Sequence, residues 1–454
     1  MKKLLLSTFI LITINQAQQI IWVRTFRPIN IYSDISTDNR NNVIVVAFPY
    51  LQKYSPDGQI IWDREINFGD LVAKVDVDKG DSIIVGGYGS PAYNDTWVII
   101  KYTPDGETLW QRLMGFSHDS VPHFSDIAID KQNNILVTGY IPGTVESKWL
   151  TYKLTPIGEI KWLRVFSSNW GPDMPTGICA DDSLNVIVGG KRGIYPLPRS
   201  WFPQVYKYST TGDSLWAVYY SDTVQHNYAV GELTVDRLGN IILPGTRLSS
   251  FLFKFDPQGN YLWRWFEDTI KHSCFRSCVT DTASNIFTAG FRLLLPSETI
   301  EMEVKKFQPD GESLWTFLYP LGHLNVSEAF WFKIDLDQAN DIIVAGNKDT
   351  FVYIFKITER PGILEEPSAK LIPIPTFTTI INSNQRYKIS LPFDITSIEI
   401  YDISGKLKKR EKINEKEYIW VSKDEKGKTL PQGVYFFKVS GKEKAQIKKI
   451  VLLK

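Results

Sequence analysis

Residues 101–110 read KYTPDGETLW, and close variants of this ten-residue element return at residues 53–62 (KYSPDGQIIW), 153–162 (KLTPIGEIKW), 207–216 (KYSTTGDSLW), 254–263 (KFDPQGNYLW) and 306–315 (KFQPDGESLW). Each copy opens on Lys and closes on Trp, and a further Trp stands alone at Trp22. A period of roughly 50 residues, too long for a single hairpin, marks a supersecondary unit repeated along the chain. Pro-Asp-Gly is turn chemistry: Pro presets φ, Asp bonds its own backbone and Gly takes positive φ.

A second element precedes each copy. Residues 75–87 (VDVDKGDSIIVGG) and 127–139 (IAIDKQNNILVTG) pair an apolar run with an Asp-led polar turn and a second apolar run ending in small residues. The turn-opening Asp recurs seven times, at Asp38, Asp78, Asp130, Asp181, Asp236, Asp281 and Asp337. Each unit therefore reads as four strands, for example an inner strand ending at Asp130, then residues 134–140, 149–154 and 160–166. The seventh unit has its hairpin and a third strand at 351–357 but no Trp. Residues 20–26 (IIWVRTF) look like the missing outer strand. The expected fold is all-β: a seven-bladed β-propeller over residues 19–362, closed by pairing the N-terminal strand with the last blade, which would remove free sheet edges.

Bulk properties agree with a β-rich soluble protein. Of 454 residues, 43% are apolar and 22% charged, and 14 Trp, 25 Phe and 21 Tyr stand against four Met, a composition suited to pleated, aromatic-packed surfaces. Lys2 and Lys3 followed by an apolar run over 4–14 and a small-residue site at Ala17 read as a secretory signal peptide, residues 1–18. Eleven apolar residues do not span a bilayer, and no later stretch has transmembrane length. Cys179, Cys274 and Cys278 are the three cysteines. Four residues along a strand separate Cys274 from Cys278 by about 13 Å, beyond disulfide reach, so free buried thiols are expected.

Residues 363–375 read as a linker before a second domain at 376–454. From Glu366 onward 18 Lys and Arg stand against 10 Asp and Glu (net +8), whereas the preceding region has 33 against 40 (net −7). The basic residues Lys408, Lys409, Arg410 and Lys412 alternate with Glu beside strand patterns. They read as a solvated sheet face, with no nucleic acid as partner.

The blade pattern, with its hairpin DRLGNIILPG at 236–245, resembles the bacterial seven-bladed β-propeller repeat of the SBBP type. Such propellers serve mostly as binding or scaffold modules, so the resemblance implies a fold and no activity. The tail resembles the C-terminal sorting domain (type A) of the type IX secretion system, on residues 398–406 (IEIYDISGK), 430–438 (LPQGVYFFK) and 448–454 (KKIVLLK). That resemblance implies a small immunoglobulin-like β-sandwich, with Tyr401, Asp402, Gly405, Gly433, Val434, Tyr435 and Lys449 carrying the sorting signal. It also implies export to the outer membrane, and a secreted or cell-surface product with the type IX machinery as partner.

Chemistry-bearing residues are fewer. His118, His123, His226, His272 and His323 all fall between one unit's outer strand and the next unit's inner strand, at one rim of the expected ring. Their spacings form no metal-binding motif, and no nucleophile elbow, P-loop or dinucleotide fingerprint is present. The same rim receives aromatic segments at 88–97, 140–149 and 191–202. Trp97 and Trp149 precede third strands and suit the core, which leaves Tyr195, Trp201 and Phe202 as ligand contacts together with His118, His226, His272 and His323. The functional expectation is a non-catalytic binding or scaffold module with a carbohydrate or protein ligand and no cofactor or metal. The alternative is a polysaccharide lyase or hydrolase with its site on the rim, which a cluster of His, Arg and carboxylates in mutual hydrogen-bond reach would favour.

Overall fold

The turn aspartates organise the hairpins as their chemistry demands. Asp38 Oδ1 accepts the backbone N–H of Arg40 and of Asn42, both at 2.9 Å, and Asp130, Asp181, Asp236, Asp281 and Asp337 repeat the pair of bonds. The residue that must turn takes positive φ, as at Asn41, Asn133 and Asn340. The Lys that opens five of the ten-residue elements reaches back to the same Asp, Lys53–Asp38 at 2.8 Å, Lys101–Asp78 at 2.7 Å, Lys153–Asp130 at 2.9 Å, Lys207–Asp181 at 2.8 Å and Lys254–Asp236 at 2.8 Å, and in the seventh unit Lys356 pairs with Asp337 at 2.7 Å in the same way. These pairs are buried, and each locks a third strand onto its unit's first hairpin.

The structure is a computed structural model that describes residues 18–29, 32–66, 73–88, 96–115, 122–143, 147–167, 172–194, 200–220, 228–267, 272–323, 330–359, 379–382, 386–402, 407–425, 427–431, 433–440 and 445–453. The expected signal peptide, apart from Gln18, and the linker lie outside the described residues. The chain divides into two compact units, Met1–Pro361 and Gly362–Lys454. No helix among the described residues is long and apolar enough to cross a membrane.

The first unit holds seven small antiparallel sheets in chain order. The third is typical, running His123–Ile129, Ile135–Ile141, Lys148–Leu154 and Ile160–Phe166 from inner to outer strand. Second strands such as Val43–Ala47 are buried throughout, while outer strands such as Ile60–Glu65 are largely exposed. In the fifth sheet the inner strand is split into Ala229–Val230 and Thr234–Val235 around Glu232. The seventh contains Phe332–Leu336, Ile342–Lys348 and Phe351–Thr358, and Gln19–Phe26 pairs antiparallel with the last of these, Trp22 opposite Lys356.

Neighbouring sheets are joined by side chains. The outer-strand Trp of one sheet donates its indole N–H to the Pro-Asp-Gly turn of the next: Trp22 to Pro56 O at 3.0 Å, Trp62 to Pro104 O at 3.2 Å, Trp162 to Thr210 O at 3.0 Å, Trp216 to Pro257 O at 3.1 Å and Trp263 to Pro309 O at 3.1 Å. The seventh sheet has no such turn. There the Glu359 carboxylate takes over, accepting from Trp315 at 2.5 Å and from Lys306 at 2.6 Å.

This arrangement corrects the sequence reading of a closed seven-bladed propeller of the SBBP type. No sheet is closed or curled on itself: each ladder ends at two edges, and the N-terminal strand extends the seventh sheet as its outer strand. The reason is physical. Sheets meet through Trp-on-turn contacts, which leave backbone edges in place; the expected pairing of residues 20–26 with 351–357 is present but completes one sheet and removes no edge of the others.

In the second unit the described strands pair in the order Thr379–Asn382, Ala445–Leu453, Gly433–Ser440, Arg386–Asp402 and Leu407–Val421, with a parallel first pair, and the long hairpin breaks register between Ser390 and Ser397 so that Trp420 packs against Phe437 at 4.7 Å. Ile398, Ile400, Trp420, Tyr435, Phe437 and Val439 form its core. The three cysteines are free thiols, Cys274 and Cys278 being buried.

Candidate ligand-binding cavity

Residues on the inner strands, or immediately before them, converge from all seven sheets on one cavity of about 380 Å³. Tyr32 comes from the first sheet, Lys74 from the second, His123 from the third, Thr176 from the fourth, Glu232 from the fifth, Arg276 from the sixth and Trp331 from the seventh. Tyr140 and Lys191, on second strands, complete the polar lining.

The charges sort themselves by a simple rule of register. Four residues before each turn Asp stand Asp34, Lys74, Asp126, Gly177, Glu232, Ser277 and Lys333, charged or small in every sheet where a β-core position would be apolar. Glu232 is the hub: its Oε1 bonds Lys74 and its Oε2 bonds Lys333 at 2.5 Å, linking the second, fifth and seventh sheets. Burial opposes ionisation of Glu232, but the Coulombic pull of Lys333 and Lys74 outweighs it and holds the carboxyl down at about 2.

The other central acids bond backbone of the adjoining sheet. Asp34 Oδ2 accepts the Val75 N–H at 2.9 Å, Asp76 Oδ2 that of Ile129 at 2.8 Å, and Asp126 Oδ2 that of Ile178 at 2.9 Å. Asp335 Oδ2 accepts the Thr37 hydroxyl at 2.9 Å. Burial pushes Asp76 and Asp335 up to about 6, and burial with the Glu232 charge pushes Asp126 up to about 7. These carboxyls cement the seams between sheets, so little acid is left for a ligand.

Two cations in the lining stay uncommitted. Among the described residues neither Lys191 nor Arg276 has an acidic partner, and the buried Arg276 Nε makes no hydrogen bond. Arg276 lies 5.6 Å from the Trp331 ring centre, and Lys191 Nζ lies 4.3 Å over the Trp201 ring. Burial, then the nearby Arg276 charge, lowers the Lys191 pKa. Tyr32 meets Trp331 edge-on at 4.8 Å, and His123 stacks flat on Tyr140 at 4.8 Å, burial lowering the His123 pKa.

The sequence candidates fare unevenly. Trp201 is half-buried beneath Lys191, whereas Phe202 is buried in the core with Tyr228, because a strand's alternation turns one of two neighbours inward. His272 is exposed ahead of the sixth inner strand, and His323 ends the sixth outer strand with Nδ1 3.2 Å from Ser297 O; neither lines the cavity. Tyr195, His118 and His226 lie outside the described residues. Trp97 and Trp149 are core residues. In the sorting-signal set, Tyr401 bonds Glu399 at 2.9 Å, Asp402 pairs with Lys408 at 2.6 Å, and Tyr435 donates to Pro431 O at 2.8 Å. Gly433, Val434 and Lys449 lie in strands Gly433–Ser440 and Ala445–Leu453, and Gly405 falls outside the described residues. No group of three or more His, Cys, Asp or Glu among the described residues is arranged to hold a metal.

Sequence reasoning missed Lys74, Lys191, Glu232, Arg276 and Lys333. Aligning the repeats on the turn Asp exposes three of them as charges at a position otherwise reserved for the strand interior. Lys191 and Arg276 carry no such signature.

Residues 379–453 match the family described as Secretion system C-terminal sorting domain. The protein is therefore directed to the outer cell surface or extracellular space by the type IX secretion machinery acting on this tail. No curated protein is similar to the chain. Among solved structures, a polysaccharide lyase of family PL25, an ulvan lyase bound to a glucuronate–rhamnose sulfate saccharide, is similar at 9% identity and TM-score 0.48, over 74% of this chain and 96% of its own. PorZ, a surface component of the type IX secretion system of Porphyromonas gingivalis, is similar at 11% identity and TM-score 0.39, over 92% of this chain and 59% of its own. A protein of unknown function from Bacteroides caccae is similar at 14% identity and TM-score 0.36, over 52% of this chain and 81% of its own. All three are loose superpositions.

Proposed function

We propose that the seven-sheet unit is a non-catalytic binding module displayed or released outside the cell, and that it takes its ligand in the cavity where the seven sheets converge. The observation that supports this reading is the division of charge in the lining. Glu232 is committed to two lysines, and the remaining central acids hold backbone or hydroxyl groups across seams. Among the described residues His123 is stacked on Tyr140, with no hydrogen bond to an acid or to Arg276, so the cluster expected for the alternative lyase or hydrolase reading is not assembled around it. What the lining offers is aromatic surface and uncommitted positive charge, the equipment of recognition.

Thr176, whose hydroxyl donates to Gly231 O at 2.9 Å, lines the cavity and gives the test. On an array of saccharides and extracellular proteins, the Thr176→Trp variant loses the ligand that the wild type retains, while its circular dichroism stays native. Equal retention by both places binding elsewhere and overturns the reading. Turnover of the retained ligand by the wild type overturns the non-catalytic part.

A further inference from the structure

Resting on that reading, we infer that the cavity is built for a carboxylate-bearing sugar, a uronic acid unit, whose acid group is received by Arg276 and Lys191 while its ring packs against the aromatic lining. A partly buried cation without a counter-ion is an unsatisfied electrostatic demand, and two of them in one cavity lining set the sign of the ligand. A guanidinium grips a carboxylate with two parallel N–H bonds; the Arg276 Nε is buried, so its end-on pair of terminal nitrogens, which has no acidic partner among the described residues, is the edge left for a ligand.

The aromatic residues specify the rest. Trp331 and Tyr32 pack on each other beside Arg276, and with Tyr140 they supply the cavity's aromatic surface for a sugar face, while Lys191 is held from behind by Trp201. A volume of about 380 Å³ suits one or two sugar units. An amino acid or peptide terminus fits less well, because its ammonium needs an acid and the lining's Glu232 is already bonded to Lys74 and Lys333. Residues 1–365 carry net −7, so a polyanionic glycan is repelled overall and depends on these local cations.

The full-length protein titrated calorimetrically with trigalacturonate and with neutral maltotriose separates the possibilities. The expected result is binding of trigalacturonate only, weakened by added salt, at least tenfold weaker for Arg276→Gln and roughly tenfold weaker for Lys191→Met. Lys131→Met, which changes an exposed lysine outside the cavity, leaves affinity unchanged. Equal binding of the two sugars, or tight trigalacturonate binding that survives Arg276→Gln, overturns the uronate assignment and leaves the binding-module reading standing if Thr176→Trp still abolishes binding. Binding untouched by all three cavity substitutions overturns both. Absence of trigalacturonate binding at millimolar concentration overturns the uronate assignment alone.

Discussion

Asp126 is the residue on which opposing electrostatic effects are most easily told apart. Its carboxyl is raised by burial to about 7, so it stabilises the fold in its neutral form; that contribution is complete below the ordinary carboxylate range and fades as pH rises from about 4 to about 7. The turn acids behave oppositely. Asp38, Asp130, Asp181 and Asp236 are desolvated, but their bonds to Lys and Asn outweigh burial and lower them, so their contribution is present at neutral pH and is lost as pH falls below the ordinary range. Asp126→Asn keeps an oxygen for the Ile178 N–H and removes the charge. Urea unfolding at pH 5 and pH 8 should show the variant gaining on the order of 1–3 kcal/mol over wild type at pH 8 relative to pH 5. A constant difference at the two pH values would refute the assignment. Residues of these two kinds differ in how openly the sequence displays them. A turn Asp finds its partners within four residues and announces itself by repetition, while Asp126, Lys191 and Arg276 owe their character to neighbours contributed by other sheets.

Between elements, the seam is a Trp laid on a glycine. Gly58 (φ +80°) lies beneath the Trp22 ring and Gly106 (φ +84°) beneath Trp62; a Cβ would meet those rings at 2.7 Å and 3.3 Å. Both Ala variants incur the strain of positive φ, about 1 kcal/mol, but only Gly58→Ala must also push a ring aside. Gly58→Ala should therefore cost about 1 kcal/mol more than Gly106→Ala in urea unfolding. Equal losses would mean that the Trp22 contact at the seventh–first seam contributes nothing beyond turn geometry. Strands, turns and the pairing partner of Gln19–Phe26 were all legible from the repeat, because apolar runs and turn residues act locally. The manner of joining was not. The same Trp periodicity is compatible with a closed ladder or with side-chain docking, and so is the Glu359 substitute for a missing turn, which stands outside the repeat altogether.

At the scale of the whole molecule, the sorting tail and the seven-sheet body are separate units of opposite net charge. Removing residues 379–453 should leave the protein inside the outer membrane, whereas the intact chain becomes accessible to protease added to whole cells. Equal surface exposure of both forms would contradict the role of the tail. The site was only half legible: of the candidate histidines in the described residues only His123 lines the cavity, since loop position says nothing about which side chains a strand turns inward. The most direct test of the account is a crystal structure of the protein grown with trigalacturonate. Density for a sugar ring inside the cavity, its carboxylate bonded to Arg276 and Lys191, is the predicted result; an empty cavity, or saccharide bound only on the outer strands, would contradict it.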